Sequence, residues 1–331
     1  MTYKKITTML AAAMLAVGVS FLAKADDYPS RNITMIVPYP AGGPSDVVAR
    51  IIADGMSKHL GQTIIIENVG GAGGTVGTTR AAGAPADGYT LLGASMGSHV
   101  AAPALFSGLK YDSTKDFEPI GLVSNAPAAV VARKDFPAKT LKEFITYIKA
   151  NGIKVNQAHG GIGSSSHMAC LLFNAEAGLS PNSVAYKGTG PALNDLVGSH
   201  VDYFCEQVVS VAPSVRGGTI KAYVVSGNER SAALPDIPSA KEAALPGYQI
   251  SIWSAVFAPK GTPQPIVDKL SDALSKALDD ANVIKRLGEL GGTVPQKAER
   301  GPAHLAKVLK ADIARWHPIL TKAMAESKQG K

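Results

Sequence analysis

Cysteine is scarce in this chain, with only Cys170 and Cys205 in 331 residues. Neither belongs to a C-x-x-C pair and no histidines gather at ligand spacing, so a structural or catalytic metal has no support. Cys170 falls in an apolar helix-like run and Cys205 in the strand-like VDYFCEQ, a separation that leaves buried thiols and a disulfide both open. Dense Lys/Arg runs interleaved with aromatics are missing, which removes the usual nucleic-acid footprint. Beyond the N-terminus no apolar run approaches the roughly 20 residues that span a bilayer. Phosphate and dinucleotide motifs are missing as well. GGAGGTVG follows a strand, but counting G-x-G-x-x-G from Gly71 puts Val76 in the last place, and no G-K-[ST] occurs. Internal repeats and low-complexity tracts are also lacking.

What is present begins with an export signal. Lys4 and Lys5 precede the apolar MLAAAMLAVGVSFLA and the small-x-small Ala23-Lys24-Ala25. This predicts a secretory signal peptide over residues 1 to 25, cut after Ala25, with an uncleaved anchor as the alternative. Its removal leaves 331 − 25 = 306 residues and takes away three lysines and no acids, so the net charge falls from +7 to +4. A soluble, exported protein is expected, and that length suits two lobes better than one.

Strand-like NITMIVPY, TIIIENV and YTLLGAS alternate with helix-like segments at 45 to 59, 75 to 82 and 99 to 105. A second series follows: PAAVVAR, a helix over 141 to 150, KVNQAHG, a helix over 166 to 177, SVAY, a helix over 190 to 197, and VDYFCEQ. Such alternation predicts βαβ units and a parallel sheet in each of two α/β lobes. After SIWSAVFAPKGTP the pattern becomes helical, with Ile266, Leu270, Ala273, Leu274, Ala277 and Leu278 on one stripe. A last helix has the stripe Leu305, Val308, Leu309, Ile313, Trp316 and Leu320. Crossovers are expected near GLVSN and YQISIW. They give a first lobe of 26 to 125 plus 250 to 331, a second lobe of 126 to 249, and C-terminal helices packed on the first.

Two loops carry the functional reading. In open α/β sheets ligands lie beyond the carboxyl ends of strands, where loops enter helix N-termini. MIVPYPAGGPSD is such a place: Gly42 and Gly43 permit close approach, and Ser45 or Asp46 can cap the helix. Open amides at a positive helix end suit an anion, although Asp46 argues against a bare phosphate. The second series repeats the arrangement in HGGIGSSSHMA, where Ser164, Ser165 and Ser166 add hydroxyls and His167, in the first helical turn, is expected to be neutral. A capped turn without ligand accounts for either loop taken alone. GASMG, residues 93 to 97, matches the G-x-S-x-G of hydrolases, but no acid and histidine stand at convincing strand ends to serve Ser95. Ser95 therefore reads as a pocket hydroxyl, and an exported serine hydrolase is the alternative.

With these residues in place, the chain resembles the Bug (Bordetella uptake gene) family, the extracytoplasmic solute receptors of tripartite tricarboxylate transporters. The resemblance covers essentially the whole mature chain. It rests on YPSRNITMIVPYPAGGPSD, IIENVGGAGGTVGTTRAAGAPADGYTLL, FEPIGLV, GGIGSSSHMA, VAYKGTGPALNDLVGSHVDY, IKAYVVSGNERSAALPDIPSAKEA and FAPKGTP in matching order. It implies a type II periplasmic binding protein that closes like a flytrap on a di-/tricarboxylate or aromatic acid. It further implies a non-enzymatic role without cofactor, as a monomer serving large and small membrane components of the transporter. A sensory receptor presenting its closed form to a membrane kinase uses the same pocket and is a further alternative. By the same resemblance, ligand contacts fall to Tyr39, Ala41, Gly42, Gly43, Ser45 and Asp46 on one lobe and to Gly163, Ser164, Ser165, Ser166 and His167 on the other. Tyr186, Lys187, Gly188 and Glu206 are next. Pro44, where many relatives have Thr or Ser, and Glu206, often Asp, are the departures.

Overall fold

The computed structural model describes residues 28 to 329. The predicted signal peptide, with its cut after Ala25, lies outside them. In chain order the strands are β1 (Ile33–Val37), β2 (Ile64–Asn68), β3 (Thr90–Ser95), β4 (Phe117–Arg133), β5 (Asn156–His159), β6 (Asn182–Ala185), β7 (Tyr203–Gln207), β8 (Ile220–Val225) and β9 (Ser251–Pro259). The helices are α1 (Pro44–Leu60), α2 (Thr75–Ala82), α3 (Ala102–Leu105), α4 (Leu141–Asn151), α5 (Ser165–Ala177), α6 (Thr189–Val197), α7 (Val208–Arg216), α8 (Gln264–Ala277), α9 (Ala281–Glu289) and α10 (Pro302–Gln329). A π-turn, Gly97–Ala101, leads into the short α3.

Local chemistry sets the helix ends. Pro44 takes the first position of α1, where a missing N–H is harmless, and left-handed Gly61 at φ 71° closes the helix. α5 is capped by Ser164, whose Oγ accepts from the His167 N–H at 3.2 Å, and it ends on left-handed Gly178. β1 pairs in parallel with β2 and β3, and β5 in parallel with β6 and β7, as βαβ units require.

The 17-residue β4 joins these two sets. Its residues 117 to 127 pair antiparallel with β9, which pairs in turn with β3; residues 128 to 132 pair antiparallel with β7. The sheet order is β2-β1-β3-β9-β4-β7-β5-β6, with β8 also on β4. Sequence alone marks only 127 to 133 as a strand here. The structure carries it back to Phe117, because bulges between Pro119 and Gly121 and between Leu122 and Ser124 absorb a proline that cannot donate to the ladder. The sheet therefore has two halves, connected through β4 and through the segment between β8 and β9. Ser226 clasps both connections: its N–H donates to Ala128 O at 2.7 Å and its Oγ to Ile250 O at 2.6 Å.

Three apolar clusters hold this together. Ile33, Met35 and Val37 meet α1 and Leu270 and Leu274 of α8 in the first half. Val131 and Phe204 meet Leu196 and Val211 in the second. The third runs between the halves, with Leu305, Leu309, Trp316 and Leu320 of α10 against Trp253 and Phe257 of β9 and Phe173 of α5. α8 and α9 pack on α1 in the first half, as expected. α10 goes further, passing from β4 and the π-turn to α5.

Candidate ligand cleft

Four helix N-termini converge where the halves meet. Gly43, Pro44 and Ser45 open α1, Ser164, Ser165 and Ser166 open α5, Thr189 opens α6, and Gln207 is the N-cap of α7. Together with Tyr39, Gly160 and Glu206, these residues line one small cavity. Unsatisfied N–H groups and aligned peptide dipoles give such a place a positive potential without any formal cation. None of the lining residues is lysine, arginine or histidine.

The halves touch through glycine. A Cβ on Gly97 would stand 2.6 Å from the Ser165 N, one on Gly73 1.8 Å from the Ile162 O, and one on Gly188 2.5 Å from Pro40 Cδ. Backbones thus approach more closely than any side chain allows. Ser165 Oγ accepts the Gly97 N–H at 3.1 Å and lies 3.4 Å from Ser95 Oγ, which is itself 3.3 Å from the Tyr39 hydroxyl. The cavity left between them is about 20 Å³, room for roughly one water. The arrangement is closed, and a larger guest requires the halves to part.

Charge inside the cleft is confined to Glu206. It is buried, which pushes its carboxyl up to about 7 against the opposing hydrogen bonds from Thr189 Oγ1 at 2.5 Å and the Gln207 N–H at 2.7 Å. Burial likewise pushes the Tyr39 hydroxyl up to about 12, so it stays a neutral donor. Asp46 faces elsewhere: its carboxylate accepts from the Gly42 N–H at 3.0 Å, Arg50 Nε at 3.1 Å and Asn68 Nδ2 at 2.9 Å. Burial raises that carboxyl, but Arg50, the Gly42 amide and Asn68 outweigh it and hold it below the ordinary value.

A two-lobed α/β sheet closing over a cleft lined by helix N-termini and neutral hydroxyls defines a solute receptor of the periplasmic binding kind. The chain belongs to the family described as the tripartite tricarboxylate transporter family receptor, which it matches over residues 48 to 324. Among curated relatives, an Agrobacterium vitis protein from the ttuE-ttuC' intergenic region is 39% identical over 95% of this chain and 91% of its own. BugT of Bordetella pertussis is 32% identical over 99% of this chain and 100% of its own. Among solved structures, MatC of Rhodopseudomonas palustris with bound malate superposes at TM-score 0.86, 47% identical over 88% of this chain and 100% of that one. A second R. palustris protein, with adipate, gives TM-score 0.85 at 30% identity, covering 90% and 98%. The periplasmic binding protein BugD gives TM-score 0.86 at 40% identity, covering 89% and 98%.

Of the residues singled out in sequence, Tyr39, Gly43, Ser45, Ser164, Ser165, Ser166 and Glu206 line the cavity, and Ser95 touches its wall. Outside the cavity lining, Ala41 and Gly42 are exposed, Asp46 is buried against Arg50 and Asn68, and Gly163 packs on Ala102 and Phe106. His167 is neutral, as expected, though burial comes first as the cause and His159 second, lowering it to about 3. Tyr186 turns away to donate to Asp195 Oδ2 at 2.6 Å, Lys187 is exposed, and Gly188 packs on Pro40. Sequence reasoning stops one residue short there: Thr189, first in α6, is the liner. Gly160 and Gln207 were also missed, although both sit at strand ends leading into helices. Among the described residues no histidine hydrogen-bonds Ser95, so the nucleophile pattern of GASMG is not completed. Both cysteines are free and buried, with the Cys205 N–H donating to Cys170 Sγ at 3.1 Å.

Proposed function

We propose that this protein is a non-enzymatic extracytoplasmic receptor. Its first lobe, 26 to 125 with 250 to 331, and its second, 126 to 249, close on a small organic carboxylate. The loaded receptor, a monomer exported by cleavage after Ala25, delivers it to the large and small membrane components of a tripartite tricarboxylate transporter. The observation that carries this reading is the convergence of four helix N-termini, two of them from facing Gly-rich loops, on a cavity without a fixed cation. A carboxylate there is held by several amide and hydroxyl donors, each contributing roughly 1.5 to 3 kcal/mol when charge-assisted, and it leaves without breaking an ion pair. The malate and adipate found in the relatives support the ligand class. The paired segments Asn125 with Trp253 and Pro127 with Ser251 support a hinge at those positions.

A thermal-shift panel of dicarboxylates, tricarboxylates and aromatic acids tests the ligand class. A true ligand at 100 times its Kd stabilises by about 2.7 kcal/mol. A panel that leaves the melting temperature unmoved for every carboxylate overturns the reading.

A further inference from the structure

A second cavity, about 410 Å³, lies wholly outside the cleft. Its floor is the face of β5 and β6, its wall is α5, and the end of α10 contributes Ala323 and Met324. That size falls within the range of small-molecule sites. Ile153 and Ile162, 66% and 42% exposed, stand at its mouth, with Leu171 and Leu179 further in. No aspartate or glutamate lines it, and Lys149 Nζ stands beside Gly178 at the rim.

Its polar end is a pair of imidazoles. His159 and His167 are 2% and 4% exposed, with ring centroids 4.4 Å apart. The Nδ1 of His159 accepts the Gly161 N–H at 3.2 Å, and that of His167 accepts the Gly163 N–H at 3.4 Å. A neutral ring that accepts at Nδ1 carries its proton at Nε2. Among the described residues neither Nε2–H has an acceptor, and both rings line the cavity. Burial lowers His159 to about 4 and His167 to about 3, so both remain neutral donors near pH 7.

We propose that this groove is a second small-molecule site, taking an apolar monocarboxylate with an aromatic or short acyl body. Its carboxylate accepts from the Nε2–H of His159 and His167, and its body lies along Leu171 and Leu179. Two convergent donors in an acid-free, largely apolar groove suit one anionic head on an apolar tail. Because the same rings hold Gly161 and Gly163 through Nδ1, an occupant also acts on the cleft loop that these glycines belong to.

The test is nitrogen-resolved NMR of the protein with labelled histidine and glycine, using phenylacetate and hexanoate as probes. The Nε2 signals of His159 and His167 and the amides of Gly161 and Gly163 move together. Ala175→Trp, at an exposed α5 position on the groove, weakens the probe by about tenfold or more while leaving the melting temperature unchanged. Imidazole signals that stay put at millimolar probe overturn the proposal. So does a probe affinity that Ala175→Trp leaves intact, or a probe that moves the amide of Gly43 instead, which places it in the cleft.

Discussion

The two loops that meet across the cleft present the same surface, open amides and hydroxyls at a helix start, yet they are braced by opposite chemistry. The first is held from behind by charge: Asp46 ties the Gly42 amide to Arg50 and Asn68, with Arg50 about half in solvent at 51%. The second is held by the neutral, buried His159 and His167, which accept the amides of Gly161 and Gly163. A receptor for anions needs rigid donors in both halves, but a buried cation behind each would grip the ligand too strongly for release. The braces differ because their surroundings do. One loop faces water, where an ion pair is solvated, and the other backs onto a groove, where an unpaired charge costs several kcal/mol.

The largest expected effect comes from keeping the loops apart. Gly97→Ala places a methyl against the Ser165 N and should lower carboxylate affinity about 100-fold, roughly 2.7 kcal/mol, with small-angle scattering showing an extended form even at saturating ligand. An unchanged affinity would mean that the closed contact is not the binding form.

Removing each brace sharpens the contrast. His159→Phe leaves the Gly161 N–H without its acceptor and should cost about 1 to 3 kcal/mol, indifferent to salt. Asp46→Asn should cost about 1 to 2 kcal/mol in low salt and less in high salt, since Arg50 is half exposed. Denaturant titrations at two ionic strengths separate them. Acid separates them too. His159 falls from the ordinary 6.5 to about 4 on folding, so its contribution is complete above 6.5 and is lost as pH drops through 4. Asp46 is held below 3.8, so its contribution is complete above 3.8 and is lost only at lower pH. Amide exchange near pH 5 should therefore weaken protection at Gly161 before Gly42, and simultaneous loss refutes the distinction.

Glu206 is the carboxylic acid among the residues that line the cleft, held by Thr189 and the Gln207 N–H. Neutral below about 7 and charged above it, it should reduce carboxylate affinity by about tenfold as pH rises through that value, and Glu206→Gln should flatten the profile in calorimetry. The smallest effect belongs to Ser95→Ala. It removes one hydroxyl between Tyr39 and Ser165 and should cost about 0.5 to 1.5 kcal/mol of binding, leaving the fold intact.

Much of this was legible in the chain itself. A serine cap at the start of α5 was legible, since such preferences act over a few residues, whereas α1 starts at Pro44 behind Gly43 with no side-chain cap, so the capping role expected of Ser45 or Asp46 is not taken. Alternating strands and helices gave the α/β class, and the two Gly-rich loops gave the chemistry of the cleft. Tertiary structure alone decided which side chains face it. Thr189 enters while its neighbours Lys187 and Gly188 do not, since α6 begins at that residue. Asp46 turns to partners at Arg50 and Asn68, and Ser95 meets Ser165 across 70 residues of sequence. The free state of Cys170 and Cys205 and the pairing of His159 with His167 belong to the same category. Meetings of this kind depend on how the two halves of the sheet pack around β4, and no local preference encodes that distance.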